Sequence, residues 1–478
     1  MRVGIFTDYP TQAVLSGPAI HTAFLKQNLE RRGHEVTLFG PNTEGDEFFG
    51  QPGMHLFKGV PYPTHPKVKI AMPWPMENVL RPPQVDIIHG QINTHMMLYG
   101  GWMRKMWRIP MLNTHIIHLP THSHFLVGDR LYRQEIVRNI LQEQADNTER
   151  SLARAINQGD GMIVQSRFMV KYWEERGVDV PLHVVGRPIN PKVFDTPAGH
   201  DPFPANFKKG SRLIVVSRHD REKRLDELIT IFANHIAPAH PDVTLTLVGD
   251  GADHRNLVNQ AAETPFADRI HFPGEIQHGA LVDWYGHADL FVYTSISETF
   301  GNVINEALWC GLPCVAYDDQ MGVAHQVTHE ENGLLVLPDR SNSHTEFTAA
   351  VLHLLEDEAH RTLLGKQGAE RARRTSHPDV IIDRFEGIYE SSIRRCHDLI
   401  TVPLSERSRA MQLAELSKAT GEWAAMNGLL LGISEFATKT GLGRLIQSDE
   451  EPVKAKRPSI LRALRDRFDG EITREAAE

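Results

Sequence analysis

The chain has few cysteines, no excess of positive charge and no long apolar run, and each absence narrows the class of protein. Its three cysteines form no Cys-x-x-Cys pair, and so sparse and odd a number indicates a reducing compartment. Lys and Arg total 51 against 60 Asp and Glu, so the net charge of −9 argues against a nucleic-acid binder with a general positive field. No run approaches the roughly 18 apolar residues of a transmembrane helix. What remains is the composition of a soluble globular protein, 41% hydrophobic and 23% charged.

The beginning of the chain also lacks the pattern of a leader. Met1–Phe6 enters an apolar strand directly, without the charged and apolar regions of a signal peptide. We therefore expect a cytoplasmic protein, with peripheral attachment to the inner face of the cell membrane as an open alternative.

Two consecutive series of strands and helices divide the chain. The first opens with the strand Arg2–Thr7 and a helix that Gly33 ends, and it lacks the G-x-G-x-x-G dinucleotide fingerprint. The second opens with the strand Leu213–Ser217, after a proline-rich segment at 188–204. Further strands are expected at Glu35–Phe39, Val85–His89, Met111–Thr114, Met162–Val164, Thr244–Val248, Ile270–Phe272, Leu290–Tyr293 and Cys314–Tyr317. Such alternation predicts an α/β protein of two Rossmann-like domains, 1–195 and 196–376, facing across a cleft.

The most informative segment is Ser295–Ala316, in which two carboxylates stand eight positions apart. Glu298 comes just before Phe300 and Gly301, on the turn after a predicted strand, and Glu306 lies about two turns into the helix that follows. A helix N-terminus exposes unpaired N–H groups and the positive end of a dipole, which suits phosphate or sugar oxygens. Glu298 can accept hydrogen bonds from hydroxyls, and Glu306 can bind a vicinal diol such as that of ribose.

With Ser295, Glu306-Ala307 and Gly311-x-Pro313, this segment resembles the donor-binding signature of the retaining glycosyltransferases of family 4, which have the GT-B fold. The resemblance implies that Glu298 holds the donor sugar and that Glu306 holds the ribose. It also implies that the backbone after Glu298 contacts the sugar hydroxyls and the diphosphate, through Phe300, Gly301, Asn302 and Val303. Two glutamates at this spacing without the other residues would equally fit an ordinary helix with a surface carboxylate at each end.

Two cations follow the first strand of the second series, at the spacing found in the same family. Arg218 stands at the end of the strand, and Lys223 comes five positions later. A nucleotide diphosphate needs positive charge, which an arginine supplies as a planar fork and a lysine as a point charge. The resemblance implies that Arg218 and Lys223 stabilise the departing diphosphate, the part that a metal ion plays in other glycosyltransferase folds.

Three further residues match less specific segments of the family. Gly17 sits where the family has a glycine-rich loop facing the diphosphate, although this chain has a single glycine there instead of two. Ile276 follows a Phe-x-Gly segment and is implied to contact the base. His115 ends a segment that resembles the family's Thr-x-His type near the reacting carbon, so His115 is the candidate catalytic-site histidine.

His115 also opens a histidine-rich segment with His118, His122 and His124, which raises a metal site as a rival interpretation. No cysteine or paired carboxylate adjoins these histidines, and GT-B enzymes normally work without a metal in the chemistry. We therefore expect no metal and no other cofactor. The same segment loosely resembles the acceptor loop of lipid glycosyltransferases that make glycosyl-diacylglycerols, although it lacks the Tyr and Glu of that loop.

The resemblance covers about residues 1–395 and implies a retaining hexosyltransferase, with 1–195 as the acceptor domain and 196–376 as the donor domain. The helix 377–395 would cross back to the first domain. The co-substrate would be a UDP-sugar or GDP-sugar, and the acceptor a membrane lipid such as diacylglycerol or, alternatively, a soluble sugar or polysaccharide. A nucleotide-sugar 2-epimerase of the same fold is less favoured, because that family lacks this glutamate pair. An inactive nucleotide-sugar-binding scaffold is less favoured because every donor residue is present.

The remaining segment, 396–478, is predicted to be a helical extension. Within 454–468, apolar residues recur at helical spacing among arginines, at Ile460, Leu461, Leu464 and Phe468. This helix would pack on its own domain or on a dimer partner, or alternatively it would bind a membrane surface.

Overall fold

The structure is a computed structural model, and it describes residues 1–10, 17–42, 53–62, 65–71, 73, 82–91, 95–116, 135–196, 199–422 and 424. Within these residues the chain forms two parallel β-sheets, each interleaved with helices, and one antiparallel two-stranded ribbon. The predicted α/β architecture of two Rossmann-like domains is therefore confirmed.

The first sheet has seven parallel strands in the order β3-β2-β1-β6-β7-β8-β9. The strands of this half, including the ribbon β4–β5, are β1 (Arg2–Phe6), β2 (Glu35–Pro41), β3 (Met54–Phe57), β4 (Gly59–Tyr62), β5 (His65–Ala71), β6 (Ile87–Gly90), β7 (Met111–Thr114), β8 (Gly161–Val164) and β9 (Leu182–Val184). Its helices are α1 (Gly17–Arg31), α2 (His95–Trp107), α3 (Glu135–Ile156), α4 (Phe168–Glu174) and α5 (Pro191–Phe194).

The second sheet has six parallel strands in the order β12-β11-β10-β13-β14-β15. The strands are β10 (Arg212–Val216), β11 (Thr244–Val248), β12 (Ile270–Gly274), β13 (Leu290–Tyr293), β14 (Cys314–Tyr317) and β15 (Gly333–Val336). The helices are α6 (Leu225–Ile231), α7 (His254–Ala262), α8 (Leu281–Gly286), α9 (Asn302–Trp309), α10 (Val323–Gln326), α11 (Ser343–Glu356) and α12 (Glu358–Ser376). Helix α6 continues through a π-helical turn, Phe232–Ile236, into Ala237–Ala239.

Both sheets reverse their strand order next to their first strand. In the first sheet β1 lies between β2 and β6, and in the second β10 lies between β11 and β13. Ligands of open parallel sheets bind beyond the carboxyl ends of the strands at such a reversal point. The reversal in the second sheet brings together the loops after β10 and β13, which carry Arg218, Lys223 and Glu298.

Strand β13 illustrates why the central strands of the second sheet are buried. All four of its residues are apolar and buried, as expected for a parallel strand that is covered on both faces. It pairs with β10 on one side and with β14 on the other. Burying one large side chain such as Phe291 contributes about 1.5–3 kcal/mol. The loop that follows β13 therefore starts from a rigid point in the core.

A long helix, α13 (Pro378–Leu399), follows the second sheet and packs on the first domain. Its Ile381, Phe385 and Tyr389 share a core with Val3 and Ile5 of β1. At its start, the His377 side chain accepts a hydrogen bond from the backbone N–H of Asp379 and caps the helix. The helix runs four residues past the predicted end at 395.

The segment after α13 also packs on the first domain. Leu404, in the short 3-10 turn Leu404–Glu406, joins the core that contains α2, and a further helix spans residues 409–422. Leu416 and Ala419 of this helix pack against the same core. No helix among the described residues is long and apolar enough to span a membrane. The predicted helix at 454–468 lies outside the described residues.

Candidate active site

Glu298 lies at the centre of a hydrogen-bonded cluster in the loop after β13. Its Oε1 atom accepts hydrogen bonds from the Lys223 ammonium at 2.5 Å, the Tyr293 hydroxyl at 2.7 Å and the Ser295 hydroxyl at 2.9 Å. Only 14% of the Glu298 side chain is exposed. All three donors contact Oε1. Oε2 accepts no hydrogen bond within the described part of the chain.

The charge of Glu298 is fixed by these neighbours. Burial alone would raise the pKa of Glu298, but the Lys223 charge and the hydrogen bonds from Lys223, Tyr293 and Ser295 outweigh burial and lower it to about 2. Burial raises the pKa of Tyr293, and the negative charge of Glu298 raises it further. The site therefore holds a carboxylate and a neutral phenol hydroxyl at neutral pH.

Two loops hold Lys223 against Glu298. Lys223 ends a 3-10 turn, Arg221–Lys223, and the next residue, Arg224, takes a left-handed conformation with a φ of 51°. The Thr294 hydroxyl, just after β13, lies 3.1 Å from the Lys223 carbonyl and 2.9 Å from the Arg224 carbonyl. The loop after β10 is thus tied to the end of β13, and the buried Lys223 side chain reaches Glu298.

Arg218 follows β10, as predicted, and its side chain contacts carboxylates of its own loop. Its guanidinium forms ion pairs with Asp220 and with Glu222, the latter at 3.1 Å, and 54% of the side chain is exposed. The two predicted cations thus lie on the same loop, but Lys223 contacts Glu298 while Arg218 faces the carboxylates of its own loop.

Glu306 is the buried carboxylate of helix α9. Its Oε1 lies 3.0 Å from His278 Nε2, and its Oε2 accepts a hydrogen bond of 3.0 Å from the Tyr285 hydroxyl. The hydrogen bond to Glu306 raises the pKa of His278, against the effect of burial. His278 covers one side of Glu306 and remains 44% exposed. Glu306 is the fifth residue of α9, so it lies one turn into the helix instead of two.

The start of α9 is arranged so that its first amides are available. Gly301 precedes the helix with a φ of +83°, and the Gln326 side chain donates to the carbonyls of Phe300 and Gly301. No acceptor for the N–H groups of Asn302 and Val303 is present among the residues that the structure describes. The helix therefore presents two first-turn donors and its positive dipole end beside Glu298.

The other predicted site residues lie on separate elements. Gly17 is the first residue of α1, in the connection that follows β1 at the reversal point of the first sheet. Ile276 follows β12, is partly buried, and packs against the hydrophobic core of the second domain. His115 follows β7, is buried, and has its ring centre 5.0 Å from that of Trp173 in α4.

The site adjoins the interface between the domains. The Thr299 hydroxyl donates to the Ile116 carbonyl at 3.2 Å, which places the residue after His115 beside the Glu298 loop. The Asn305 amide of α9 donates to the Arg187 carbonyl at 3.1 Å. Residues of the first domain therefore lie next to the loop and helix that hold Glu298.

The predicted histidine cluster lies mostly outside the described residues, because His118, His122 and His124 fall in 117–134. Among the residues that are described, one group, His353, Asp357 and His360, has ligand atoms close enough together to hold a metal ion. This group lies where α11 meets α12 and contains none of the predicted site residues.

Comparison with known proteins identifies the family. Residues 200–371 match the family described as Glycosyl transferases group 1, and residues 15–193 match Glycosyltransferase Family 4. The chain is a family 4 glycosyltransferase of the GT-B fold. The predicted family and enzyme class are confirmed, and the family matches cover both Rossmann-like domains.

Two curated relatives of this glycosyltransferase carry the name of a lipid in their own names. It is 25% identical to the alpha-monoglucosyldiacylglycerol synthase of Streptococcus pneumoniae, over 72% of this chain and 80% of that protein. It is 22% identical to the GPI3 subunit of phosphatidylinositol N-acetylglucosaminyltransferase of Saccharomyces cerevisiae strain YJM789, over 93% of this chain and 94% of the relative.

Solved structures share the fold of this glycosyltransferase. Sucrose-phosphate synthase from Thermosynechococcus elongatus matches with a TM-score of 0.60 at 22% identity, over 82% of this chain and 98% of that chain. Anabaena Alr3699/HepE in complex with UDP-glucose matches with a TM-score of 0.58 at 18% identity, over 82% of this chain and 100% of that chain.

Only some of the side chains that form hydrogen bonds with the two glutamates can be recognised from the sequence. Ser295 belongs to the family signature, whereas Tyr293 was recognised only as a strand residue. His278 and Tyr285 come from the turn and helix before β13, and no spacing rule in the sequence links them to Glu306. Only the packing of α8 against α9 reveals that they surround this carboxylate.

Proposed function

We propose that this glycosyltransferase moves a hexose from a UDP-sugar or GDP-sugar to an acceptor hydroxyl and retains the configuration at the anomeric carbon. The observation that carries the proposal is the buried contact between Glu298 and Lys223 at the reversal point of the second sheet. It provides a fixed carboxylate for sugar hydroxyls and an adjacent cation for the diphosphate, in one water-poor site.

The donor binds along the loop after β13 and the start of α9. Glu298 accepts sugar hydroxyl hydrogen bonds through Oε2, because Oε1 is already occupied by three donors. The N–H groups of Asn302 and Val303 donate to the diphosphate, and the Phe300-Gly301 turn fixes their position. Lys223 lies where it can also donate to the leaving phosphate.

Two of the protein's contacts with the nucleotide sugar require side chains to exchange their present hydrogen-bonding partners. Arg218 is exposed and exchanges Asp220 and Glu222 for phosphate oxygens when the donor enters. Glu306 accepts from the ribose hydroxyls, and the exposed His278 moves aside to admit them. Tyr285 keeps the second oxygen of Glu306 in place. This exchange explains how a carboxylate with two protein donors still serves as a ligand group.

The remaining assigned residues complete the site from both domains. Gly17 allows close approach of the α1 N-terminus to the diphosphate, and Ile276 contacts the base. His115 lies at the acceptor side, next to the Ile116 carbonyl that contacts the Glu298 loop. These roles rest on the family resemblance and on the positions of the residues after β1, β12 and β7.

The chemical step proceeds on one face of the sugar. The bond from the anomeric carbon to the leaving phosphate breaks, the acceptor oxygen attacks from the same side, and the departing phosphate oxygen takes the acceptor proton. Glu298 suits positioning better than nucleophilic attack, because the ammonium and hydroxyl donors on Oε1 stabilise its negative charge and so lower its nucleophilicity. Lys223, Arg218 and the α9 N-terminus supply the positive charge, so a metal chelator should leave most of the activity intact.

We favour a membrane lipid such as diacylglycerol as the acceptor. The support is the similarity over most of the chain to enzymes named as monoglucosyldiacylglycerol synthases, from Streptococcus pneumoniae and from Acholeplasma laidlawii. Attachment to a membrane surface is the corresponding expectation. A soluble sugar or polysaccharide acceptor is the alternative.

The test is a panel of UDP-sugars and GDP-sugars, each offered with vesicles containing diacylglycerol and with soluble sugars, with released UDP or GDP as the measurement. The proposal predicts acceptor-dependent release with at least one donor, and faster release with the vesicles. Release that soluble sugars alone stimulate would favour the alternative acceptor. Tight binding of UDP or GDP without release from any donor would favour the inactive scaffold.

A further inference from the structure

Arg187 is a buried arginine on the first-domain wall of the site. It follows β9, is 8% exposed, and forms no ion pair with any carboxylate in the described part of the chain. A buried guanidinium normally has an anionic partner, because burying an unpaired charge is costly. Arg187 therefore needs an explanation that the fold itself does not supply.

The guanidinium is held in one orientation by a single amide. With the Gln165 amide turned so that its oxygen faces Arg187, this oxygen accepts from Nε at 2.8 Å and from one terminal nitrogen, Nη2, at 3.1 Å. The other terminal nitrogen, Nη1, has no acceptor among the described residues. Gln165 is itself buried, so the pair of side chains is rigid. The Nη1 edge of the guanidinium remains available to another group.

The backbone around Arg187 contacts the start of α9 in the second domain. The Arg187 carbonyl accepts from the Asn305 amide, and a Cβ atom on Gly186 would come within 3.0 Å of the Phe300 ring. Burial lowers the pKa of Arg187 to about 10, and the negative charge of Glu298 opposes that effect. Arg187 therefore lies close enough to Glu298 to interact with it, but beyond ion-pair distance.

The buried carboxylates near the site have partners other than Arg187. Glu298 is the partner of Lys223, and the nearby buried Asp319 accepts three backbone N–H groups, from Met321, Val323 and Ala324. Burial lowers the pKa of His21 in α1, and the Arg187 charge lowers it further, so His21 is neutral. Arg187 is thus left without an ion-pair partner among the described residues.

We propose that Arg187 is an anion-binding residue of the site, which donates from Nη1 to a phosphate oxygen of a substrate. The proposal rests on the proposed function for the identity of that substrate. The phosphate belongs either to the donor diphosphate, which would make Arg187 a third cation for the leaving group, or to an anionic acceptor. A guanidinium is well suited to either, because its hydrogen bonds to oxyanions are charge-assisted.

The experiment titrates UDP by calorimetry into wild type, Arg187→Gln and Arg187→Lys, and then titrates inorganic phosphate into each UDP-loaded protein. Arg150→Gln is the matched control, because Arg150 is an exposed arginine on α3 outside the site. If the donor supplies the phosphate, Arg187→Gln weakens UDP binding by about tenfold or more, as expected for a lost charge-assisted hydrogen bond. If the acceptor supplies it, UDP binding is unchanged and only wild type binds inorganic phosphate beside UDP.

A second measurement needs no variant and so does not depend on how well Arg187→Gln folds. Wild-type crystals soaked in tungstate, a phosphate mimic, should show an anomalous peak within hydrogen-bond distance of Arg187. Absence of that peak, or an Arg187→Gln variant that matches wild type in both titrations, would overturn the proposal. Wild type that binds neither UDP nor GDP would contradict the proposed function instead, and the tungstate peak would still report on Arg187.

Discussion

At the scale of single residues, the proposed activity depends on how Glu298 is held. Three donors converge on its Oε1 atom, and one of them is the charged Lys223. Fixed donors in a buried site keep the carboxylate ionised and in one orientation before the substrate arrives. We therefore expect Glu298 to bind the sugar and other groups to bind the nucleotide.

Replacing Glu298 with Ala should separate these two roles. The substitution removes the hydrogen bonds to the sugar and should cost on the order of 2–4 kcal/mol of transition-state stabilisation. Binding of UDP or GDP alone should change little, which calorimetry can measure. Glu263→Ala, at an exposed position after α7, is the matched control and should keep wild-type turnover. Wild-type turnover in Glu298→Ala would remove Glu298 from the mechanism.

The two cations of the loop after β10 should act on phosphate and not on the base. Arg218→Ala and Lys223→Ala should each weaken the binding of UDP or GDP, while the affinity for the free nucleoside stays nearly constant. Calorimetry with diphosphate and nucleoside measures both affinities. Unchanged diphosphate binding in both variants would show that neither residue contacts the phosphates.

The Lys223 variant should also change the pH dependence. The pKa of Glu298 is lowered from 4.5 to about 2, so its interactions stabilise the fold fully above about pH 4.5, and this contribution is lost as the pH falls toward 2. Without Lys223, burial dominates and the pKa of Glu298 rises. Activity of Lys223→Ala should therefore decline at a higher pH than that of wild type on the acid side. Parallel acid limbs for the two proteins would contradict this coupling.

The residues that could be predicted from sequence are those of one local signature. Glu298, Gly301 and Glu306 lie within a few positions of each other, so their spacing already reports their arrangement. His278, Tyr285 and Arg187 lie far from this segment in the chain, and their positions follow only from packing. Arg218 and Lys223 lie on one loop after β10, as predicted from their spacing, and only the packing shows the direction of each side chain.

At the scale of elements, the start of α9 is the decisive feature, and Gly301 makes it possible. Gly301→Ala should cost about 1–2 kcal/mol, because its φ of +83° is strained for a residue with a Cβ atom. The added Cβ would meet atoms no closer than 3.5 Å, so the strain arises in the backbone and not in packing. We expect a lower melting temperature and a higher KM for the nucleotide sugar.

A glycine in an ordinary helical position provides the control. Gly387 lies inside α13, and a Cβ there would meet nothing within 4 Å. Gly387→Ala should therefore leave the melting temperature equal or higher, because Ala favours helix over Gly by about 1 kcal/mol. Equal effects of the two substitutions would show that Gly301 has no special conformational role.

Most central strands could be predicted because they are mostly apolar and buried, with clear ends. The observed bounds of β7, β11, β13 and β14 equal the predicted ones, those of β1 differ by one residue at one end, and those of β10 differ by one residue at each end. Sequence analysis missed β3, β9 and β15, which have only three or four residues each. Such short edge strands carry too little periodicity to be recognised, and they form because a neighbouring strand offers unpaired backbone groups.

At the scale of the whole molecule, α13 links the two domains. It continues from the second domain and buries apolar residues against β1. Ionic contacts between this helix and the first domain add to that packing. Arg32 of the first domain pairs with Glu386 at 2.8 Å and with Asp383, and His34 lies 2.8 Å from the same Glu386. These pairs are partly exposed, so each contributes little, and the apolar contacts supply most of the stability.

The role of the far C-terminal segment is a prediction that concerns residues outside those described. A basic helix at 454–468 would bind anionic vesicles weakly, at about 1 kcal/mol per arginine near the surface, and salt would reduce the binding. The measurement is co-sedimentation of the full chain against a chain ending at Gln447. Equal binding by both, or none by either, would remove this segment as a membrane anchor.

The central claim is retaining transfer from a nucleotide sugar, and proton NMR of one reaction tests it most directly. A single time course reports the loss of the nucleotide sugar, the release of UDP or GDP, and the anomeric configuration of the new glycosidic bond. The account predicts that an α-linked donor is consumed and that the product is α-linked, with both changes about 30-fold or more slower in Glu298→Ala. A β-linked product, or equal conversion by Glu298→Ala, would contradict it.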